Sequence, residues 1–377
     1  MIFRRIEIRG FRNLDAVELT PSPRSTVIVG PNGQGKTNFL EAVFFLATLK
    51  PLRASRLVEL IRWGESVATV RAEVETRGAE RKISVQVEEG TRRALLDGKP
   101  VRDLLEYFGG ISVIAFTPDD LDAVKGSPEG RRRLIDRATF NRFPAYLVES
   151  RDYQRALRSR NRLLRAGASP GELDAFAEPL ARLGARLISR RLSILGEFTP
   201  RVARAYRVIS REESEVQVEY RASHLTMPVP AEEELVAMLR EEIARRTARD
   251  VERGFTSVGP HVDDLWLSLN GHSARAFASQ GQQRALVIAL KIAEIENLQA
   301  ACGVSPLLLL DDVSSELDPE RNGQLMRYLA AAPTQVFLST TDPRLVARAV
   351  GEDAKYYSVQ AGSLRPAAAP SDLKTDK

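Results

Sequence analysis

Cysteine is almost absent: Cys302 stands alone in 377 residues. An internal disulfide and a cysteine-rich zinc site are therefore excluded, and the reducing cytoplasm is the compartment expected. Cys302 itself reads as a small buried residue. Long apolar runs are missing too. The strongest, Ala42–Leu49 and Leu307–Leu310, fall far short of the ~20 residues that span a bilayer, so no membrane partner is expected. The opening Met1-Ile-Phe-Arg-Arg-Ile-Glu7 alternates charge with apolar side chains and has no signal-peptide core. Histidines number three, and His224 and His272 fall in polar turns that suggest no chemistry. Lysine is scarce, nine residues against 46 arginines.

Net charge is only +5, which says little about nucleic acid by itself. A GC-rich genome would favour arginine in the same way. Its distribution says more: residues 131–165 hold eleven arginines against Asp136, Glu149 and Asp152. On the helix expected at Tyr146–Ala166, Arg151, Arg155, Arg158, Arg162 and Arg165 step by four and three, which puts them on one face opposite Tyr146, Tyr153, Leu157 and Leu164. Like charges at that spacing disfavour a helix by about 0.2–0.5 kcal/mol per pair, so the stripe needs compensation from outside it. DNA phosphate, the acids Glu172, Asp174 and Glu178, and plain solvation are the three readings open. Arg131, Arg132 and Arg133, at a helix start, are candidates for nucleotide or for a dimer partner.

Strand-rich ends flank a helical middle. Phe3–Arg9, Ser25–Val29 and Val67–Thr76 have strand character, and Asp97-Gly98 and Asn270-Gly271 are hairpin turns. In the middle, a helix over Leu173–Phe198 is expected to kink at Pro179 and stop by Pro200. Ser273–Phe277 reads as a strand, and a long helix follows from about Gly281. The organisation expected is a head from residues 1–116 and 254–365, a helical lobe over 117–253, and a disordered tail at 366–377.

Gly30-Pro31-Asn32-Gly33-Gln34-Gly35-Lys36-Thr37 fits G-x-x-x-x-G-K-[ST], with an apolar strand before it and a helix after it. Glycines let backbone amides turn toward a phosphate, Lys36 reaches the β and γ phosphates of ATP, and the Thr37 hydroxyl ligates Mg²⁺. Leu307-Leu-Leu-Leu-Asp-Asp312 supplies the partner: Asp311 for the metal and Asp312 for the attacking water. Between them Ser279-Gln-Gly281-Gln-Gln-Arg284 opens a helix, and Ser315-Glu-Leu-Asp318 follows the paired acids. These resemble the signature motif and D-loop of ABC-type ATPases. The resemblance implies that Ser279, Gly281 and Asp318 act at nucleotide shared in an ATP-dependent homodimer. The fold expected is α/β, an ABC-type P-loop head with an inserted, mainly helical second lobe and no long coiled coil.

An ATP-hydrolysing subunit of an ABC transporter is the rival, but there the phosphate loop and signature lie much closer together than Lys36 and Ser279. The chain is more specifically similar to the RecF family of bacterial recombinational-repair ATPases. Ile6-Glu-Ile-Arg-Gly-Phe-Arg-Asn13, Thr117-Pro-Asp-Asp-Leu121, Lys125-Gly-Ser-Pro-Glu-Gly-Arg-Arg-Arg133, Arg160-Asn-Arg-Leu-Leu164 and Gly259-Pro-His261 carry the likeness, beside the phosphate loop and signature. It implies a cytoplasmic protein that binds ATP and DNA, single-stranded, double-stranded and at gap junctions. It further implies action with RecO and RecR to help load RecA, and support of the SOS response. Three departures stand out. Val262 replaces a basic residue often found after that histidine. Ile111–Pro118 lacks a Q-loop glutamine, and no histidine follows Val336-Phe-Leu-Ser-Thr-Thr-Asp342, where Thr341 or Asp342 stands instead. Hydrolysis should therefore be weak, which suits a switch.

Overall fold

The computed structural model describes residues 1–53, 56–222, 231–303, 305–312 and 318–370. His224, the D-loop residues Ser315, Glu316 and Leu317, and the side chain of Cys302 lie outside the described residues. The chain divides into two units, Met1–Pro118 with Leu298–Lys377, and Asp119–Asn297.

The first unit begins with β1 (Ile2–Phe11), which buries Phe3, Ile6 and Ile8 and exposes Arg5 and Arg9; an irregularity between Phe3 and Arg5 resets the alternation. β2 (Leu14–Leu19), β4 (Val67–Thr76), β5 (Ala79–Glu88), β6 (Thr91–Leu96) and β7 (Lys99–Pro100) join it in a six-stranded sheet of order β2-β1-β4-β5-β6-β7, antiparallel throughout. Asp97 and Gly98, both at positive φ, make the tight turn that the sequence suggested. β3 (Ser25–Val29) leads through the glycine loop into α1 (Lys36–Thr48), and α2 (Leu104–Phe108) precedes β8 (Val113–Phe116). From Phe39 to Thr48 every residue of α1 is buried. A helix without a polar face belongs inside a core. Phe45 accordingly meets Phe11 at 6.3 Å and Phe39 meets Phe337 at 6.0 Å.

The second unit is mostly helical: α3 (Asp122–Lys125), α4 (Pro128–Arg142), α5 (Tyr146–Ala166), α6 (Pro170–Asp174), α7 (Ala177–Ser210) and α8 (Glu232–Arg253). Tyr153, Leu157, Leu180, Ile188, Leu235 and Leu239 share its core. Two expectations about α7 fail. Pro179 sits in the first turn, where its missing N–H is not needed. Pro200 lies inside the helix, which runs on to Ser210 because Phe198, Val202, Ala205, Tyr206 and Ile209 continue a buried stripe. Burying those side chains outweighs the ~3 kcal/mol that an internal proline costs. β9 (Val216–Arg221) pairs with β10 (Asp264–Leu269), which pairs with β11 (His272–Ser273). This pairing carries the unit beyond residue 253. The expected strand at Ser273–Phe277 is instead α9 (Ala274–Phe277), followed by α10 (Gln280–Cys302).

The chain then returns to the first unit with β12 (Leu307–Asp311), α11 (Pro319–Ala331), β13 (Val336–Thr340), α12 (Arg344–Val350), β14 (Lys355–Gln360) and β15 (Ser363–Ala367). Its second sheet has the order β15-β14-β3-β13-β12-β8, parallel except for the terminal hairpin. β15 takes in residues 366 and 367, so a tail starting at 366 was placed too early.

Candidate functional site

The loop between β3 and α1 owes its shape to Gly33 and Gly35, at φ +78° and +120°. A Cβ on Gly35 would also sit 2.8 Å from Asn13 Oδ1. Lys36 Nζ donates to the carbonyls of Gly30 (2.8 Å) and Pro31 (3.0 Å) and to Asn32 Oδ1 (3.2 Å). Burial pulls its pKa below the usual lysine value, partly countered by Asp312 and Asp311. The Thr37 hydroxyl donates to Asp311 Oδ1 at 2.9 Å, joining residues 274 positions apart.

Gln34 does something the motif did not suggest. Its side-chain oxygen accepts from the Ala361 N–H (2.7 Å) and its carbonyl from the Gly362 N–H (3.0 Å), both in the β14–β15 turn. Gly362 is at φ +81°, and a Cβ there would lie 2.0 Å from the Asn13 carbonyl oxygen. Asn13 in turn accepts from Asn38 Nδ2 at 2.8 Å. The β1–β2 turn, the glycine loop and the C-terminal hairpin are thus interlocked. Gln34 holds the loop in place, and its side chain is committed to the hairpin.

Asp311 ends β12 beside β13, where Ser339 is its register partner. The Ser339 hydroxyl donates to Asp311 Oδ1 at 2.8 Å, and the Asp312 N–H donates to Ser339 Oγ at 3.0 Å. Burial raises the Asp311 pKa, while the Ser339 and Thr37 hydrogen bonds oppose that shift. Asp312 takes φ +50°, off the line of the strand. At the switch position the Asp342 carboxylate is held by Arg344 (2.8 Å), which lowers its pKa. Asp318 caps α11, accepting from the Arg321 N–H at 3.0 Å.

In the second unit, exposed Ser279 and half-buried Gly281 stand at the start of α10. Ser279 and Gln282 form a reciprocal cap: Ser279 N–H to Gln282 Oε1 (2.9 Å) and Gln282 N–H to Ser279 Oγ (3.2 Å). Arg131 is not free for nucleotide. It is buried and bidentate to Asp264 (2.7 and 2.9 Å), while Arg132 donates to the Asp263 carbonyl and Arg133 pairs with Glu129. The family-like loop at 259–263 is braced from within. His261 Nε2 donates to the Thr256 carbonyl (2.9 Å), so its Nδ1 accepts from the Tyr153 hydroxyl (2.7 Å), and burial lowers its pKa. Arg191 donates to the Pro260 carbonyl (2.7 Å) and the Tyr220 hydroxyl to Asp263 (2.8 Å). Burial pushes Asp263 up to about 7. Val262 faces outward on this loop.

All five stripe arginines, Arg151, Arg155, Arg158, Arg162 and Arg165, are exposed. Arg151 approaches Asp152 at 3.4 Å, and the other four have no hydrogen-bond or ion-pair partner among the described residues. Glu178 serves Arg182 and Arg240, and Glu172 closes the cap of α6 with Ser169. Those two acids therefore leave the stripe uncompensated.

Residues 2–363 match the family model described as RecF/RecN/SMC N terminal domain. A DNA replication and repair protein RecF from Myxococcus xanthus is 56% identical over 363 residues, covering 95% of this chain and 96% of its own. The chain belongs to the RecF family. A second RecF relative, from Geobacter sulfurreducens, is 42% identical over 342 residues, 91% of this chain and 93% of its own. Among solved structures, the recombination mediator protein RecF-ATPrS of the RecFOR pathway superposes with a TM-score of 0.87 at 28% identity, covering 97% of this chain and 98% of its own. An SMC head bound to the C-winged helix domain of ScpA shares the fold, with a TM-score of 0.57 at 16% identity over 99% of both chains. The RecF fold here is α/β, an ABC-type head with a mainly helical second lobe and, among the described residues, no long coiled coil. No helix among them is long and apolar enough to cross a membrane.

Proposed function

We propose that the chain is an ATP-dependent DNA-binding protein of recombinational repair and replication-gap processing. The observation that supports this reading best is the Thr37–Asp311 hydrogen bond beside Lys36, where a nucleoside triphosphate and its metal would lie. A hydroxyl and one carboxylate suit Mg²⁺, a hard cation that keeps water and phosphate among its ligands. Thr37 and Asp311 would hold Mg²⁺, which would supply charge neutralisation to the phosphates. Lys36 turns from its loop carbonyls to those phosphates, and Asp312 takes the proton of the attacking water. Weak hydrolysis follows from the missing glutamine and histidine.

Relatives named for DNA replication and repair, and a mediator structure of the RecFOR pathway, support the rest. On that likeness the chain binds DNA at gaps in the cytoplasm, acts with RecO and RecR to help load RecA, and supports the SOS response. Ser279 and Gly281 would meet nucleotide held by a second copy. The transporter reading is not favoured, because the family match runs through the inserted lobe as well as the head. Arg151, Arg155, Arg158, Arg162 and Arg165 are the candidate phosphate contacts. DNA binding measured with ATP, with ADP and without nucleotide tests the switch: affinity should be highest with ATP. Replacing Arg151, Arg155 and Arg158 with Gln should flatten the log–log salt slope by up to ~3 units on duplex DNA. An ATP-independent affinity would end the switch reading, and an unchanged slope would end the stripe's part in it.

A further inference from the structure

Helices α5 and α8 finish beside each other. Gly254, which closes α8, lies against the Arg165 stem, so that a Cβ there would come within 3.2 Å of Arg165 Cγ. The segment after it is pinned with unusual completeness. Thr256 donates from its N–H and its hydroxyl to Asn161 Oδ1 (2.8 and 2.7 Å), and Arg160 donates to Thr256 Oγ1 (2.7 Å). Arg160 also pairs with Asp250 at 2.8 Å, both side chains wholly buried, and Asp250 accepts from Ser257 N–H and hydroxyl (3.1 and 2.6 Å). Stranding either member of such a pair would leave an uncompensated buried charge, so breaking the brace is costly.

Out of this fixed segment Phe255 projects, 45% exposed. It follows directly on Gly254, the residue that lies against Arg165. Arg162 on α5 and Arg249 and Arg253 on α8 are exposed as well, and none of the four arginines has a partner among the described residues. Glu252 is the one exposed acid in the last turn of α8. Last-turn positions of Arg165 and Arg253 suit the helix dipoles. The dipoles do not require Arg162, Arg249 or an outward ring.

We propose that this corner receives an unpaired nucleobase of DNA, stacked on Phe255, with the adjoining phosphates held by Arg162, Arg165, Arg249 and Arg253. An aromatic face serves every base alike, and guanidinium groups around it follow the backbone, which is how single strands are held without sequence preference. A ring carried on a backbone already braced on its C-terminal side leaves only side-chain freedom to lose when it stacks. The inference rests on the DNA-binding reading and adds to it the residue that distinguishes unpaired from paired DNA.

The full chain is tested on a gapped duplex with 2-aminopurine at the first unpaired position and on a blunt duplex of equal length. Phe255→Ala should weaken gapped-DNA binding roughly tenfold and abolish the fluorescence quench, with blunt-duplex affinity unchanged. Phe255→Tyr should restore both, and Phe255→Leu, which keeps apolar bulk, should not. Replacing Arg162 and Arg165 with Gln should weaken both DNAs and flatten the duplex salt slope by up to ~2 units. A wild-type chain without salt-dependent DNA affinity would remove the underlying reading. A wild type that binds, with Phe255→Ala indistinguishable from it on both DNAs, would overturn the stacking site alone, as would an equal loss on both.

Discussion

On the proposed function, Lys36 and Asp312 have different tasks at the nucleotide site. Lys36 faces loop carbonyls and the region where phosphate charge would lie, whereas Asp312 is turned off the end of β12 by its positive φ. Lys36→Met should therefore cost nucleotide affinity, and Asp312→Asn should keep it while lowering turnover by two or more orders of magnitude. Fluorescent-nucleotide titration and phosphate release separate the two. Loss of binding in Asp312→Asn would show that the roles of Asp311 and Asp312 are exchanged. A different carboxylate contributes to the pH dependence of stability. Asp263 is raised by burial to about 7, so between about pH 4 and pH 7 the folded chain keeps a proton that the unfolded chain has released. Stability from this group falls as pH rises through that window and is level above it. Asp263→Asn, which retains an oxygen for the Tyr220 hydroxyl, should flatten the slope. Melting temperatures near pH 5 and pH 8 check it, and an unaltered difference between them would count against the assignment.

Among the elements, the C-terminal hairpin is tied to the phosphate loop through Gln34. Gly362→Ala would place a methyl group where the Asn13 carbonyl stands, at a φ that alanine tolerates poorly. The turn must then withdraw from Gln34, and ATP affinity should drop about tenfold or more, although residue 362 lies outside every nucleotide motif. Titration of a variant with a native-like circular dichroism spectrum tests this; unchanged affinity would show that the loop sets its own shape. Lys36, Thr37 and Asp311 were legible in the sequence because glycine spacing and the strand–helix context are local signals. Ser339 and Asn13 were missed. Each reaches the site through strand register or a turn packed from far along the chain, and neither is written in a short window. The tie of Gln34 to the hairpin was missed for the same reason. Pro200 misled because local propensity yielded to a buried stripe that continued past it. The arginine face of α5 was legible as geometry, since helical spacing alone predicts it, but its lack of acidic partners needed the packed unit.

For the whole molecule, the dimer proposed above depends on the N-terminus of α10. Ser279→Arg should leave ATP affinity near normal while abolishing an ATP-dependent shift from monomer to dimer in sedimentation. A dimer that persists would sink the shared-site reading. Chain order adds a further consequence. β3, which delivers the phosphate loop, has β13 and β14 as its neighbours, and both lie more than 300 residues later. Residues 119–297, by contrast, are one uninterrupted stretch and form a unit of their own. During synthesis that stretch can pack while β3 waits with both edges unpaired, about 15–60 s at ribosomal speed. The sheet around the glycine loop is thus among the last parts of the fold that synthesis allows to be completed. A nascent chain stopped after residue 37 and before residue 336 carries the complete glycine-loop sequence, yet lacks the strands that would hold it in a working shape.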